Sequence, residues 1–209
     1  MLDRRYPLQL NRGQPIAPVL FVRGEVHADE VGVSVVGSRD ASPRGQQIAG
    51  DIARGLVGRG IAVISGLANG IDTAAHRATL AAGGRPIGVL GTGITRVYPE
   101  TNRALHQRVA AAGALVSQFW PEHPPDKHTL ALRNATIAGL SRASVIVEAG
   151  ERSGSQVHAP LRAGLPPAAD PDRSGRRIDP VGTRNGVPAG SLRGRWHCRG
   201  VAHCRSSGG

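Results

Sequence analysis

Aromatic residues are scarce in this chain: two Trp, two Tyr and two Phe among 209 residues. A core built from such a sequence has to be aliphatic, drawn from the Val, Ile, Leu and Ala within its 40% hydrophobic content. Cysteine is scarcer still. The two present, Cys198 and Cys204, sit close together near the C-terminus and cannot staple a fold. No apolar run is long enough to span a bilayer, and the opening MLDRRYPLQL lacks the apolar stretch of a signal peptide. The expected compartment is therefore the cytoplasm, with no membrane partner. Lysine is nearly absent: Lys127 is the only one among 26 basic residues, so the positive charge is carried by arginine.

That charge is large, +11 at neutral pH, and favours a polyanionic partner such as nucleic acid. It is unevenly placed. Residues 160–209 hold nine Arg against three acids, leaving the body only mildly basic. The case for a nucleic-acid partner must therefore come from sites rather than from overall charge.

Between residues 31 and 158 the pattern is regular. Short, β-branched runs bounded by Gly alternate with longer amphipathic stretches: VGVSVVGS (31–38), IAVISG (61–66), PIGVLG (86–91), ALVSQF (114–119) and ASVIVEAG (143–150). Runs that are apolar at successive positions are buried on both faces, as parallel strands are. Helices are expected over 42–60, with Pro43 in the first turn and Ile48, Ile52 and Leu56 on one face, and over 72–82, 100–112 and 133–141. A repeating strand–helix unit of this kind predicts an α/β fold with a doubly wound, mostly parallel sheet between two helical layers. Residues 1–30 are expected to be a lead-in, with one strand or extended arm near the apolar run at 17–22.

The pattern stops near residue 157. Residues 159–209 are expected to form a low-complexity, disordered basic tail: nine Gly and six Pro fall within 160–209, with no strand or helix period. A GC-rich gene read in a shifted frame would have the same composition, and the two explanations remain open.

In open α/β sheets, ligands bind beyond the carboxyl ends of the strands. Three successive strands end there in Gly-containing loops: Gly37-Ser38-Arg39, Ser65-Gly66 running to Asn69-Gly70, and Gly91-Thr92-Gly93. Glycine lets backbone amides approach a ligand, and a helix N-terminus behind the loop favours a phosphate. Plain turn geometry also uses glycine, but three loops in register favour an anion-binding edge. Arg39 offers a planar fork to phosphate, its plainer alternative being a surface ion pair. The segment KHTLALRNATIAGLS (127–141) brings Lys127, Arg133 and Asn134 to a helix start at the same edge. Phe119 and Trp120 lie beside these cations, as the stacking of unpaired bases requires; Phe119 reads better as a core cap, and Trp120 as the more open ring. No phosphate-binding P-loop string is present, and GTGITR (91–96) has Arg where a dinucleotide motif needs its third Gly, so no cofactor is expected.

Residues 32–158 resemble the Rossmann-like domain of the DprA/Smf DNA-processing family. The resemblance is carried by VGSR (36–39), SGLANGIDTAAHRATLAAGG (65–84), GVLGTGITRVYPETNRAL (88–105), RNATIAGLS (133–141) and VIVEAGERSGS (145–155), with PVLFVRGE (18–25) as lead-in. It implies a homodimer that binds single-stranded DNA, protects incoming DNA and assists loading of the RecA recombinase during transformation. It also implies a DNA pocket at Gly37, Ser38, Arg39, Ser65, Gly66, Asn69, Gly70, Thr92, Gly93, Lys127, Arg133 and Asn134. The chain departs from the family string at Leu130 and Ala131, where Phe-Pro is usual, and at Ala135, where a second Arg is usual. The family domain's last helix and strand, and a winged-helix domain, are not recognisable after His158.

An enzyme is the rival class. Asp72 and His76 lie four apart on one helix, a spacing that suits a metal or base site but equally an exposed ion pair. A nucleotide-processing enzyme such as a lysine-decarboxylase-like phosphoribohydrolase would carry a PGGxGTxxE string, where this chain has LGTGITRVYPE. No catalytic residue and no metal site are therefore assigned. Zinc held by His197-Cys198 and His203-Cys204 is a further alternative, weakened by the low-complexity surroundings.

Overall fold

The computed structural model describes residues 7, 10, 19–148 and 201–203. Along the chain run β1 (Phe21–Gly24), β2 (Gly32–Gly37), α1 (Pro43–Val57), β3 (Ala62–Ser65), α2 (Ile71–Ala81), β4 (Pro86–Leu90), α3 (Arg103–Ala112), β5 (Ala114–Ser117), α4 (Lys127–Leu140), β6 (Ala143–Val147) and β7 (Val201–His203). The strands form one sheet in the order β1-β5-β4-β3-β2-β6-β7. Only β1 runs antiparallel, with Phe21 opposite Ser117 at the C-terminal end of β5.

This order determines where the helices go. From β2 the chain steps through β3 and β4 to β5 in one direction, and right-handed crossovers put α1, α2 and α3 on one face. It then returns to lay β6 beside β2, which puts α4 on the other. Neighbouring residues of each strand serve opposite faces. Val35, Val63 and Val147 pack with Ala49 and Ala53 of α1 and Ile71 and Ala75 of α2. Val36, Ile64, Val89, Val116 and Ile146 pack with Ile137 and Leu140 of α4. Leu90 and Leu115 meet Leu105 and Val109 of α3. The expected three-layer, doubly wound fold is present.

Local signals mostly hold. Pro43 opens α1, and the Ser42 hydroxyl caps it by accepting from the Gly45 amide at 3.0 Å. The fourth helix differs. It starts at Lys127 rather than near 133, because Asp126 and Thr129 form a reciprocal capping box. Arg133 and Asn134 therefore lie mid-helix and not at a helix start. The segment that lacks a strand period in sequence contributes β7, three residues paired parallel to β6. Residues 149–200 and 204–209, where a tail was expected, lie outside the described residues.

Candidate nucleic-acid interface

Beyond the C-terminal ends of β3 and β4 lies a cleft lined by Arg39, Gly66, Ala68, Asn69, Gly91, Thr92, Tyr98, Pro99, Leu130 and Arg133. Five of the sequence-predicted residues meet there: Arg39, Gly66, Asn69, Thr92 and Arg133. Their roles divide sharply. Arg39 and Asn69 are exposed, whereas Arg133 is only 4% exposed. Its Nη1 donates to the carbonyl oxygens of Gly66 at 2.6 Å and Val89 at 3.0 Å.

Gly66 is glycine because Arg133 needs its space: a β-carbon there would lie 1.6 Å from Nη1. Beneath, Asp72 is buried and near enough to Arg133 for the two charges to interact. Burial pushes the Asp72 carboxyl up, and Arg133, the Ser65 hydroxyl and the Ala68 and Gly66 amides pull it partly back. Burial likewise pushes Arg133 down, against the opposing pull of Asp72, while Arg39 adds like-charge repulsion. The cleft thus brings two guanidinium groups close to one another and to one buried carboxyl group. The Arg133 Nε, at the cleft wall, has no hydrogen-bond partner.

Packing requires several of the loop glycines. A β-carbon at Gly37 would lie 1.8 Å from the Val147 carbonyl, and one at Gly70, where φ is +76°, 2.3 Å from the Ser38 carbonyl. The Gly93 amide is spent on the His123 carbonyl at 2.9 Å, and its α-carbon faces the Trp120 and Pro121 carbonyls. Ser65 donates its hydroxyl to the Val35 carbonyl at 2.6 Å. Ser38 supports the turn, accepting from the Asp40 amide at its hydroxyl and from the Ile71 amide at its carbonyl.

The helix N-termini expected to favour phosphate are occupied from within. The α1 start lies at the topological switch point between β2 and β6, where such sheets ordinarily take a ligand. There the Glu148 carboxylate accepts from the Ser42 amide at 2.8 Å and from the Ser42 hydroxyl. The first amide of α2 donates to Ser38, and Asp126 accepts from the His128 and Thr129 amides of α4. Among the side chains at this edge, Arg39 is exposed.

Lys127 stands exposed in the first turn of α4, and Asn134 is half-buried further along that helix. Neither lines the cleft. Five lining residues lie outside the sequence-predicted set: Ala68, Gly91, Tyr98, Pro99 and Leu130. Tyr98, 41% exposed, presents an aromatic ring at the cleft. Leu130 packs over Gly91, where a β-carbon would meet its Cδ2 at 2.6 Å. The VYP string holding Tyr98 was visible, but nothing in it announced a residue brought to the loops of other strands.

Asp72 and His76 do not form an exposed ion pair. Both are buried beneath the cleft, and the one hydrogen-bonding group acting on the His76 ring is the Ser65 backbone. Burial holds the His76 imidazole down to about 4. Among the described residues no cluster of His, Cys, Asp or Glu could hold a metal ion, and no helix is long and apolar enough to cross a membrane. His197, Cys198 and Cys204 lie outside the described residues.

The family model described as DNA recombination-mediator protein A matches residues 1–164. The chain belongs to this family. Within it, the chain is 41% identical over 160 residues to Protein Smf of Escherichia coli K12, covering 74% of the chain and 42% of that protein. It is 37% identical over 158 residues to the DNA processing protein DprA of Streptococcus pneumoniae R6, covering 75% of the chain and 56% of that protein. A crystal structure of DprA from S. pneumoniae superposes with a TM-score of 0.71 at 36% identity, covering 78% of this chain and 58% of that one. A Helicobacter pylori DNA processing protein A, whose structure is described for its single-stranded DNA binding mode, superposes with a TM-score of 0.68 at 25% identity, covering 75% and 72%. The chain thus spans about half the length of the curated DNA-processing relatives it matches.

Proposed function

We propose that this chain binds single-stranded DNA in the cleft beyond β3 and β4, as a non-enzymatic DNA-processing protein of the cytoplasm. The observation that carries the reading is Arg39: an exposed guanidinium at a cleft whose second guanidinium, Arg133, is already bonded to backbone carbonyls. Arg39 takes a phosphate, Asn69 and Thr92 offer polar contacts beside it, and Tyr98 gives a base a ring to stack on. Lys127, at the start of α4, adds a second exposed cation. Gly37, Ser38, Ser65, Gly66, Gly70, Gly93 and Asn134 complete the site as its scaffold. Binding of single-stranded DNA by the H. pylori protein supports this ligand.

On the same reading the protein acts as a homodimer that protects single strands and assists RecA loading in transformation and recombination. No chemistry is required of the cleft, since Asp72 and His76 lie below it. Fluorescence anisotropy of a labelled oligo-dT strand tests the proposal, with unlabelled duplex as competitor. Tight binding that duplex competes poorly is expected; equal competition by duplex contradicts it. Release of free base from nucleoside monophosphates would instead favour an enzyme.

A further inference from the structure

Trp120 is the most exposed large apolar side chain among the described residues, at 77%, in a chain with only six aromatics. It lies outside the cleft, yet is held firmly beside it. The Gly93 amide donates to the His123 carbonyl at 2.9 Å, the Thr95 amide to the Pro121 carbonyl at 3.0 Å, and Arg96 Nε to the Glu122 carbonyl at 3.1 Å. Gly93 has no room for a side chain because the Trp120 and Pro121 carbonyls lie 2.2 Å from where its β-carbon would be. The loop carrying Trp120 is therefore fastened to the loop that supplies Thr92 to the cleft.

The indole is braced as well. Its ring packs on Phe21 with centroids 5.8 Å apart and planes tilted by 48°. Phe21 pairs with Ser117 at the C-terminal end of β5, so this aromatic pair stands at the same sheet edge as the cleft. Two strand spacings, about 10 Å, separate β1 from β4. Arg96, exposed, is tied to the loop that carries the ring: its Nε donates to the Glu122 carbonyl.

A preorganised aromatic that loses little freedom on contact, on a loop that also holds an exposed cation and is fastened to a loop lining a polar cleft, suits an unpaired base and its phosphate. We propose that Trp120 is a stacking platform for a base of the strand held in the cleft, with Arg96 meeting the intervening backbone. This inference rests on the reading of the cleft as a single-strand site.

The test uses the full chain with Trp196→Phe, which leaves Trp120 as the sole indole. Oligo-dT should quench its emission with the same midpoint as the anisotropy of the labelled strand. An abasic strand of equal length keeps the charges and loses the rings; it should bind without quenching. Trp120→Ala should weaken oligo-dT binding about tenfold and leave abasic binding unchanged, and Trp120→Phe should recover most of the loss. Saturation of anisotropy with unchanged Trp120 emission overturns the inference and leaves the cleft reading standing. So does a protein-concentration-dependent blue shift without DNA, because a second copy then covers the ring. Absence of any oligo-dT binding overturns both.

Discussion

The Arg133 guanidinium occupies the space that a side chain at position 66 would fill: a β-carbon there would lie 1.6 Å from Nη1, which donates to the Gly66 carbonyl at 2.6 Å. The arginine fastens the loop after β3 and strand β4 to α4, since Nη1 also donates to the Val89 carbonyl. Arg133 thus shapes the cleft from within while Arg39 faces what enters it.

Gly66→Ala should therefore destabilise the protein by about 1–3 kcal/mol through overpacking. Arg133→Ala should cost more, about 3–5 kcal/mol, because it strands the buried Asp72 carboxylate and two carbonyls. Urea unfolding followed by far-UV circular dichroism measures both. A change below half a kcal/mol for Arg133→Ala would show that the buried network carries no stability.

The pH dependence follows from His76. Its folded pKa is held by burial at about 4, against 6.5 when solvated, so the unfolded chain binds more protons between those values. The corresponding stability is fully present above pH 6.5 and is lost as pH falls toward 4, by up to about 3 kcal/mol. His106, also lowered by burial, acts in the same direction. Asp72, raised by burial, opposes both above pH 3.8. His76→Leu removes the titrating ring and should flatten this decline; stability of the two proteins measured across pH 4–7 decides it.

Much of the fold was legible in the sequence, for a physical reason. Strands buried on both faces write unbroken β-branched runs between glycines, and Ser42-Pro43 announces α1. The start of α4 was missed because Asp126 and Thr129 cap it without an apolar period; its buried face includes Thr129, Arg133 and Thr136. The site was half legible. Arg39 and the loops pointed to the edge where the cleft lies, but an arginine in sequence reads as exposed, and the burial of Arg133 depends on Gly66 and Asp72, distant in the chain. Nor could sequence reveal that Glu148 fills the α1 start or that His123 takes the Gly93 amide.

Leu130 stands where the resemblance to the family leads one to expect Phe. Leu130→Phe should add a stacking surface to the cleft beside Tyr98 and tighten oligo-dT binding by about 1 kcal/mol. Anisotropy titration checks this, with an abasic strand as control; equal gains for both strands would mean that the new ring meets no base.

Lys127→Ala should weaken oligo-dT binding less than loss of Arg39, because Lys127 stands on α4 outside the cleft. Its effect should fade as salt rises, as for an exposed phosphate contact. A salt-independent loss would instead point to a defect at the capped start of α4, visible as reduced helicity.

The most direct measurement compares wild type with Arg39→Ala for oligo-dT binding across a salt series. Arg39 is exposed, so thermal stability should stay unchanged while affinity falls by about 1–3 kcal/mol and the salt slope shrinks by about one. Equal affinity and equal slope for the two proteins would contradict the assignment of the cleft as the single-stranded DNA site.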